Sequence, residues 1–257
     1  MSAPIRICVL LALSLTAVQA QVSTGTIVGT VTDSTGAVIA NADVKLHHTA
    51  TGEVRQTRTN QHGEFNAPFV RVGGYSLSVS AQGFKTETVS GISLLVDQTV
   101  NLRVTLEVGA LSEKIEVTSA APLVDSATSS LGQVIVNQQI LDMPLNGRNP
   151  FALGLLSGNT TPMFGMGSNL PFIAGGGRFS ANEVTLDGVD NNTVSNAGSI
   201  GRNGIAFVPS VDAVQEFKVK TNNFSAEFGH AAGSVVNATI KNGTNQYHGT
   251  AFEFLTE

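Results

Sequence analysis

The sequence contains one cysteine and no tryptophan among its 257 residues. Cys8 lies in an apolar run near the N-terminus, so every later residue lacks a thiol. This excludes disulfide bonds, cysteine–zinc sites and cysteine nucleophiles from the rest of the chain. Because aromatic residues make up only 6% of the sequence, a surface that stacks on nucleic acid bases is not expected either.

Charge is also scarce, since charged residues make up 13% of the sequence and the net charge is −5. A mildly acidic chain without a cluster of Lys or Arg is a poor candidate for binding nucleic acid, and we expect no nucleic acid partner.

The first twenty residues have the features of a secretory signal peptide. Arg6 precedes an apolar run, residues 7–18, and Val18 and Ala20 place small residues at the two positions that a signal peptidase reads. The run is shorter than the ~20 residues that a helix needs to span a bilayer, and no later segment is long and apolar enough to do so. Residues 1–20 are therefore predicted to be a signal peptide.

Residues 24–107 show the alternation of apolar and polar side chains that is typical of β-strands. Tyr75, Leu77 and Val79 fall on one face of a predicted strand, and the mostly polar residues 53–59 predict an exposed one. About seven short strands with regular turn signals predict a β-sandwich.

The turn residues and buried positions of this unit resemble the carboxypeptidase regulatory-like domain. That family has a transthyretin-like, immunoglobulin-like sandwich, and no catalytic domain or zinc-ligand motif accompanies it here, so the resemblance implies no peptidase activity. The resemblance is carried by Gly29-Thr30-Val31-Thr32-Asp33, Gly36, Ala42-x-Val44, Thr51-Gly52, Thr59, Gly63-x-Phe65, Gly74-Tyr75, Leu77-x-Val79 and Gly83-Phe84.

The remaining sequence predicts a linker, residues 108–130, and a second domain, residues 131–242. This domain is predicted to be α+β with long loops, and its fifteen glycines between Gly147 and Gly243 suggest support from a surrounding structure. Strands are predicted at 131–136, 217–221 and 234–241, and a strand that leads into a tight turn at 184–190. Short helices are predicted at 137–143 (with Asn137 as N-cap), 151–156 and 209–214 (with Pro209 in the first turn), and an irregular stretch at 157–182. A hairpin turn at Asn242-Gly243 is predicted to lead into a strand at 247–255.

A second resemblance covers about 110 residues of this domain. The order and spacing of its motifs are similar to those of a TonB-dependent receptor plug domain, and a regulatory-like sandwich before a plug is similar to the Oar-like receptor subgroup. Ala232-Gly233 departs from the Gly-Gly of many plugs. The motifs are Leu141-x-Met143-Pro144-x-Asn146-Gly147-Arg148, Leu186-Asp187-Gly188-Val189, Val214-Gln215-Glu216-Phe217-Lys218-Val219, Ser225-Ala226-Glu227-Phe228-Gly229 and Gly233-x-x-x-Asn237.

The resemblance implies two sets of site residues. The plug signature turn is Leu186, Asp187, Gly188 and Val189. The segment that resembles a TonB box, and would bind a TonB-type energy-transducing protein by strand addition, is Glu113, Lys114, Ile115, Glu116, Val117, Thr118 and Ser119. The alternative for this segment is a linker strand that packs on the sandwich.

No catalytic, metal or cofactor site is predicted. His47 and His48 are neighbours on a strand and should point to opposite faces, and residues 187–192 lack the ligand spacing of a calcium loop. We therefore expect no enzyme.

Together these observations predict a mainly β chain from an outer-membrane receptor: a signal peptide, a sandwich, a linker, a plug and, at residues 243–257, the start of a first barrel strand, with the barrel itself absent. The plug would gate energised uptake of an unidentified small or oligomeric ligand. The alternative is a stand-alone secreted module that binds carbohydrate or protein.

Overall fold

The computed structural model describes residues 23–109, 114–118, 131–163, 170–178, 181–194, 202–224, 228–229 and 231–249. The predicted signal peptide lies outside these residues. The described part of the chain is mainly β, as the sequence predicts, and it has two separate cores of buried apolar residues.

The N-terminal unit is the expected sandwich of seven strands, to which an eighth is added. Three strands form one sheet in the order β4-β1-β7, and five form the other in the order β3-β2-β5-β6-β8. The strands are β1 (Thr24–Asp33), β2 (Asp43–His48), β3 (Val54–Arg58), β4 (Glu64–Arg71), β5 (Gly73–Ser80), β6 (Thr86–Leu94), β7 (Thr99–Leu106) and β8 (Lys114–Thr118).

The core of this sandwich consists of buried side chains that alternate with exposed ones along the strands. In β2, Val44, Leu46 and His48 are buried while the residues between them are exposed, so His47 and His48 do point to opposite faces as predicted. β3 is almost wholly exposed, which also agrees with its polar sequence. Fully burying one Val, Leu or Phe side chain stabilises a fold by roughly 1.5–3 kcal/mol, so these inward-facing rows hold the two sheets together.

The second unit contains a five-stranded sheet in the order β13-β12-β17-β16-β9. β12 and β17 run parallel, whereas the other neighbours are antiparallel. The elements are β9 (Leu131–Val136), α1 (Asn137–Asp142), 3-10 turns at Asn146–Arg148 and Pro150–Leu156, β10 (Thr160–Pro162), β11 (Phe172–Ala174), β12 (Glu183–Leu186), β13 (Val189–Asp190), β14 (Asn192–Val194), β15 (Arg202–Ile205), β16 (Val214–Asn222) and β17 (Val235–Ile240).

A 3-10 turn covers the core of this second unit. The rings of Phe151, from the turn, and Phe217, from β16, are both fully buried, with their centroids 5.7 Å apart. Such an aromatic pair contributes about 0.5–1.5 kcal/mol beyond the apolar area that it buries.

The helix predicted at 137–143 is present as α1, but its predicted N-cap and the helix predicted at 209–214 were wrong. Val136, not Asn137, precedes the first turn of α1, because the Asn137 side chain instead donates its Nδ2–H to the Val214 carbonyl at 2.7 Å. The predicted helix at 209–214 is a turn over residues 211–213, and Val214 already begins β16. Val211 and Val214 are buried in the core, so tertiary packing outweighs the helical signal of Pro209.

Two loop predictions also need correction. The stretch 157–182, predicted to be irregular, contains the β10–β11 ladder. The predicted hairpin at Asn242-Gly243 is absent, and residues 241–249 form no strand. This segment instead contacts the sandwich, because Asn245 donates its N–H to the Ala50 carbonyl at 3.1 Å and its Nδ2–H to the Thr51 carbonyl at 2.7 Å. Residues 250–257 lie outside the described residues.

Within the described ranges, the chain has no helix with the length and apolar character needed to cross a membrane.

Candidate functional site

The segment predicted to bind a TonB-type protein forms an edge strand. β8 runs parallel to β6, with Thr86 opposite Lys114 and Ser90 opposite Thr118. Glu113 and Ser119 lie outside the described residues. β8 is the last strand of its sheet among the described residues, so one side of its backbone pairs with β6 and the other side is available to a further strand.

The predicted plug signature turn joins β12 to β13. Asp187 and Gly188 both have positive φ, 50° and 80°, and Leu186 and Val189 lie opposite each other across the turn. Asp and Gly are the residues that tolerate this backbone conformation best.

This turn is tied to the end of β17. The Asp187 N–H donates to the Ala238 carbonyl at 2.8 Å, and the Ile240 N–H donates to Asp187 Oδ1 at 3.0 Å. Burial raises the pKa of the Asp187 carboxyl, and the bond from Ile240 partly opposes that effect. The turn and the β8 segment lie in different sheets, so the structure does not bring the two predicted sets of residues together.

A third set of residues, which the sequence did not predict, connects the two units. The turn between β6 and β7 lies against β16 and β17 of the second sheet. The Val96 N–H donates to Glu216 Oε1 at 2.5 Å, and Val96 is fully buried. We call this contact the junction and define it by Val96, Asp97, Glu216, Lys218, Lys220 and Asn237.

Asp97 is the centre of the junction. Its carboxylate Oδ2 accepts from Lys220 Nζ and from Asn237 Nδ2, each at 3.1 Å, while its backbone carbonyl accepts from Lys218 Nζ at 2.9 Å. Its φ of 50° is a conformation that Asp and Asn adopt more readily than other side chains. The Asp97 carboxylate therefore connects β16 to β17 from the sandwich side.

The charged side chains of the junction are buried but partnered. Glu216, Lys218 and Lys220 are 2%, 5% and 6% exposed. Lys220 Nζ also lies 4.6 Å from the centroid of the Phe228 ring, a cation–π distance. Because a buried charge is tolerated only when it is paired and hydrogen-bonded, this arrangement depends on both units being in contact. The sequence signal was the run Glu216, Lys218 and Lys220, which alternates with Phe217 and Val219 along one strand.

Burial raises the pKa of the Glu216 carboxyl to about 7. The Val96 N–H and the Lys218 ammonium oppose this shift, whereas the Asp97 carboxylate adds to it. The charge of Glu216 therefore changes near neutral pH.

We predict that the Glu216 carboxyl makes the folded chain less stable as pH rises. The folded chain binds a proton on Glu216 more tightly than the unfolded chain, whose pKa is near 4.5. The stabilisation is thus fully present below pH 4.5 and is lost as pH rises to about 7, by on the order of 3 kcal/mol. Urea unfolding over this range should show the loss in the parent chain and not in Glu216→Gln, whose amide oxygen can still accept from Val96. Parallel curves for the two chains would contradict the assignment.

No group of three or more His, Cys, Asp or Glu side chains that could hold a metal ion occurs within the described part of the chain.

Comparison with known proteins identifies the first unit. Residues 26–107 match the family "Carboxypeptidase regulatory-like domain". In an alignment of 240 residues that covers 88% of this chain, the sequence is 28% identical to the TonB-dependent transporter Oar of Myxococcus xanthus. The chain spans 21% of the length of that relative. It therefore contains a regulatory-like domain and is similar to a TonB-dependent receptor over most of its length.

Solved structures give weaker likenesses. Catechol 1,2-dioxygenase of Acinetobacter radioresistens is 15% identical, with a TM-score of 0.28 over 38% of this chain and 58% of that one. The TIE protein of Bacillus anthracis is also 15% identical, with a TM-score of 0.29 over 34% of this chain and 17% of that one. These TM-scores are too low for either likeness to inform the function.

Proposed function

We propose that this chain is the N-terminal region of a TonB-dependent outer-membrane transporter, in which residues 131–242 act as the plug that gates energised uptake. The observation that carries the proposal is the 28% identity to the transporter Oar, which extends over 88% of the chain and so includes both structural units. A regulatory-like sandwich alone, residues 26–107, would account for only part of that match.

The architecture of the second unit supports a role as a plug. It has its own core around Phe151 and Phe217, yet its sheet also places three charged side chains against the sandwich. A unit with a separate core and a polar, buried contact to its neighbour can move as a body when that neighbour is displaced. When the sandwich is displaced, the junction therefore pulls the plug with it.

The edge strand β8 supplies the attachment point for the energy-transducing partner. A strand of a TonB-type protein pairs with residues 113–119 through main-chain hydrogen bonds, either on the free side of β8 or after β8 leaves β6. Among the described strands, β8 pairs with β6 alone, so its release breaks one strand ladder. Pulling on this segment then displaces the sandwich and, through Asp97, the plug.

Ligand is bound on the plug side, by loops within residues 158–179 and 191–206. Residues 158–179 follow the largely buried Pro150–Leu156 turn, and residues 191–206 follow β13 at the edge of the sheet. Loops on a rigid sheet are the usual location of binding residues.

Cell fractionation tests the proposal. An antibody against residues 24–107 should detect a band in the outer membrane fraction whose mass is several times the 26.7 kDa of this chain. A soluble periplasmic band with the mass of this chain alone would contradict the proposal and favour a secreted binding module.

A further inference from the structure

A cavity of about 460 Å³ opens at one end of the plug sheet. It lies where β9 begins and β16 ends, since Leu131 pairs with Asn222 at that end of the ladder. The turn that follows Pro150–Leu156 forms the opposite wall with Ser157 and Asn159. This volume falls within the ~300–1,000 Å³ range of small-molecule sites.

One wall residue has an unsatisfied polar group. Ser157 is 5% exposed, and its hydroxyl oxygen is buried without a hydrogen-bond partner. Its backbone is fully used, because its N–H donates to the Gly154 carbonyl and its carbonyl accepts from the Thr160 hydroxyl. Leaving a buried hydroxyl unpaired costs about 1–3 kcal/mol, and rotation of the Ser157 side chain toward a ligand oxygen in the cavity would remove that cost.

Among the described residues, the lining of the cavity is polar and includes no charged side chain. Gln133, Asn159 and Asn222 carry amides, Ser157 and Thr221 carry hydroxyls, and Leu131 adds an apolar side chain that is 60% exposed. Amides and hydroxyls can each donate and accept, as the hydroxyl groups of a sugar also do. Among these lining residues, a carboxylate or phosphate would find no cation to offset the loss of its hydration.

We infer that this cavity binds a neutral, polyhydroxylated ligand of the saccharide class, with Ser157 at its base and the three amides around it. The inference rests on the proposed function, since it assigns a chemical class to the ligand of the plug. Leu131 then contacts the C–H face of a sugar ring, while Asn159 and Asn222 hydrogen-bond its hydroxyls. An extended peptide along β9 would instead use the backbone of that edge strand.

Titration of the full chain, labelled with ¹⁵N, tests the inference directly. The probes are maltotriose, xylotriose and chitotriose, and trigalacturonate is the charged counterpart. We expect one of the neutral trisaccharides to cause saturable shifts at the Gly132 and Gly158 N–H signals and at the side-chain amides of Asn159 and Asn222. Trigalacturonate should bind at least about tenfold more weakly, because its carboxylates lose hydration without gaining a charged partner.

Two variants separate binding from folding. Ser157→Ala should weaken binding of the trisaccharide about tenfold and leave the melting temperature unchanged or slightly raised, because it removes an unsatisfied hydroxyl. Ser210→Ala, at an exposed position outside the cavity, is the matched control and should change neither.

The inference would be overturned by the absence of saturable shifts with all three neutral trisaccharides at about 10 mM, a concentration well above a millimolar Kd. Equal affinity of Ser157→Ala and Ser210→Ala would overturn it too, as would binding of an uncharged peptide in place of the sugars. If the chain is found in an outer-membrane receptor but no sugar binds, only the ligand class fails. If the sugar binds to a soluble protein of this chain's own mass, the transporter proposal fails instead.

Discussion

Deletion of residues 113–119 from the full receptor is expected to abolish energised uptake and to leave ligand binding at the cell surface unchanged. The deleted segment contains β8, which offers the backbone edge proposed to pair with a TonB-type protein. Without that edge the partner has no strand to extend, whereas the cavity and the loops of the plug keep their sequence. Uptake of a labelled ligand and its binding in de-energised cells measure the two effects separately.

The matched control for this deletion removes seven other residues of the same connection, 122–128. It shortens the path from sandwich to plug by an equal length and keeps Glu113, Lys114, Ile115, Glu116, Val117, Thr118 and Ser119. We expect this control to retain uptake. Uptake that survives loss of residues 113–119, or an equal loss in both deletions, would refute the assignment of the segment.

Substitution of Asp97 by Asn is expected to destabilise the chain by roughly 3 kcal/mol. The change keeps the size of the side chain and tolerates the φ of 50°, so it tests the charge alone. Lys220, whose side chain is 8% exposed, would lose the carboxylate oxygen to which its Nζ–H donates at 3.1 Å. A buried ammonium left without its partner is strongly destabilising, and urea unfolding measures the difference.

Two further variants define what the Asp97 result means. Asp43→Asn breaks the ion pair with Arg58, whose side chains are 51% and 72% exposed, and should change stability by less than about 0.5 kcal/mol. Asp97→Asn combined with Lys220→Met removes both buried charges and should recover most of the loss. If Asp97→Asn had an effect as small as that of Asp43→Asn, the junction would not connect the two units energetically.

The sandwich could be predicted from the sequence because its strands and turns depend on short, local patterns of residues. Residues such as Leu77 and Val79 alternate with polar neighbours, and turns such as the one at Gly36 carry residues suited to positive φ. The same reasoning found β9 and the turn at Asp187 and Gly188, since each depends on a short pattern. These strands can therefore be predicted without knowledge of any tertiary contact.

The junction could not be predicted in this way. Its hydrogen bonds join residues 120 to 140 positions apart, and no local pattern shows which strand faces the turn at Asp97. Buried valines likewise outweighed the helical signal of Pro209, and Asn245 bonded to the sandwich where a hairpin was expected. The position of β8 beside β6 also depends on tertiary pairing, so its role as a partner segment stays a prediction.

Site-specific photo-crosslinking in living cells tests most directly whether this chain works with an energy-transducing partner. A photoreactive residue would replace Glu116 in β8 of the full receptor, with His47, exposed on β2 of the same sheet, as the control position. We predict a crosslink to a TonB-type protein from position 116, none from position 47, and loss of the product in cells that lack the partner. Receptor that reaches the outer membrane but gives no such crosslink from position 116 would contradict the account.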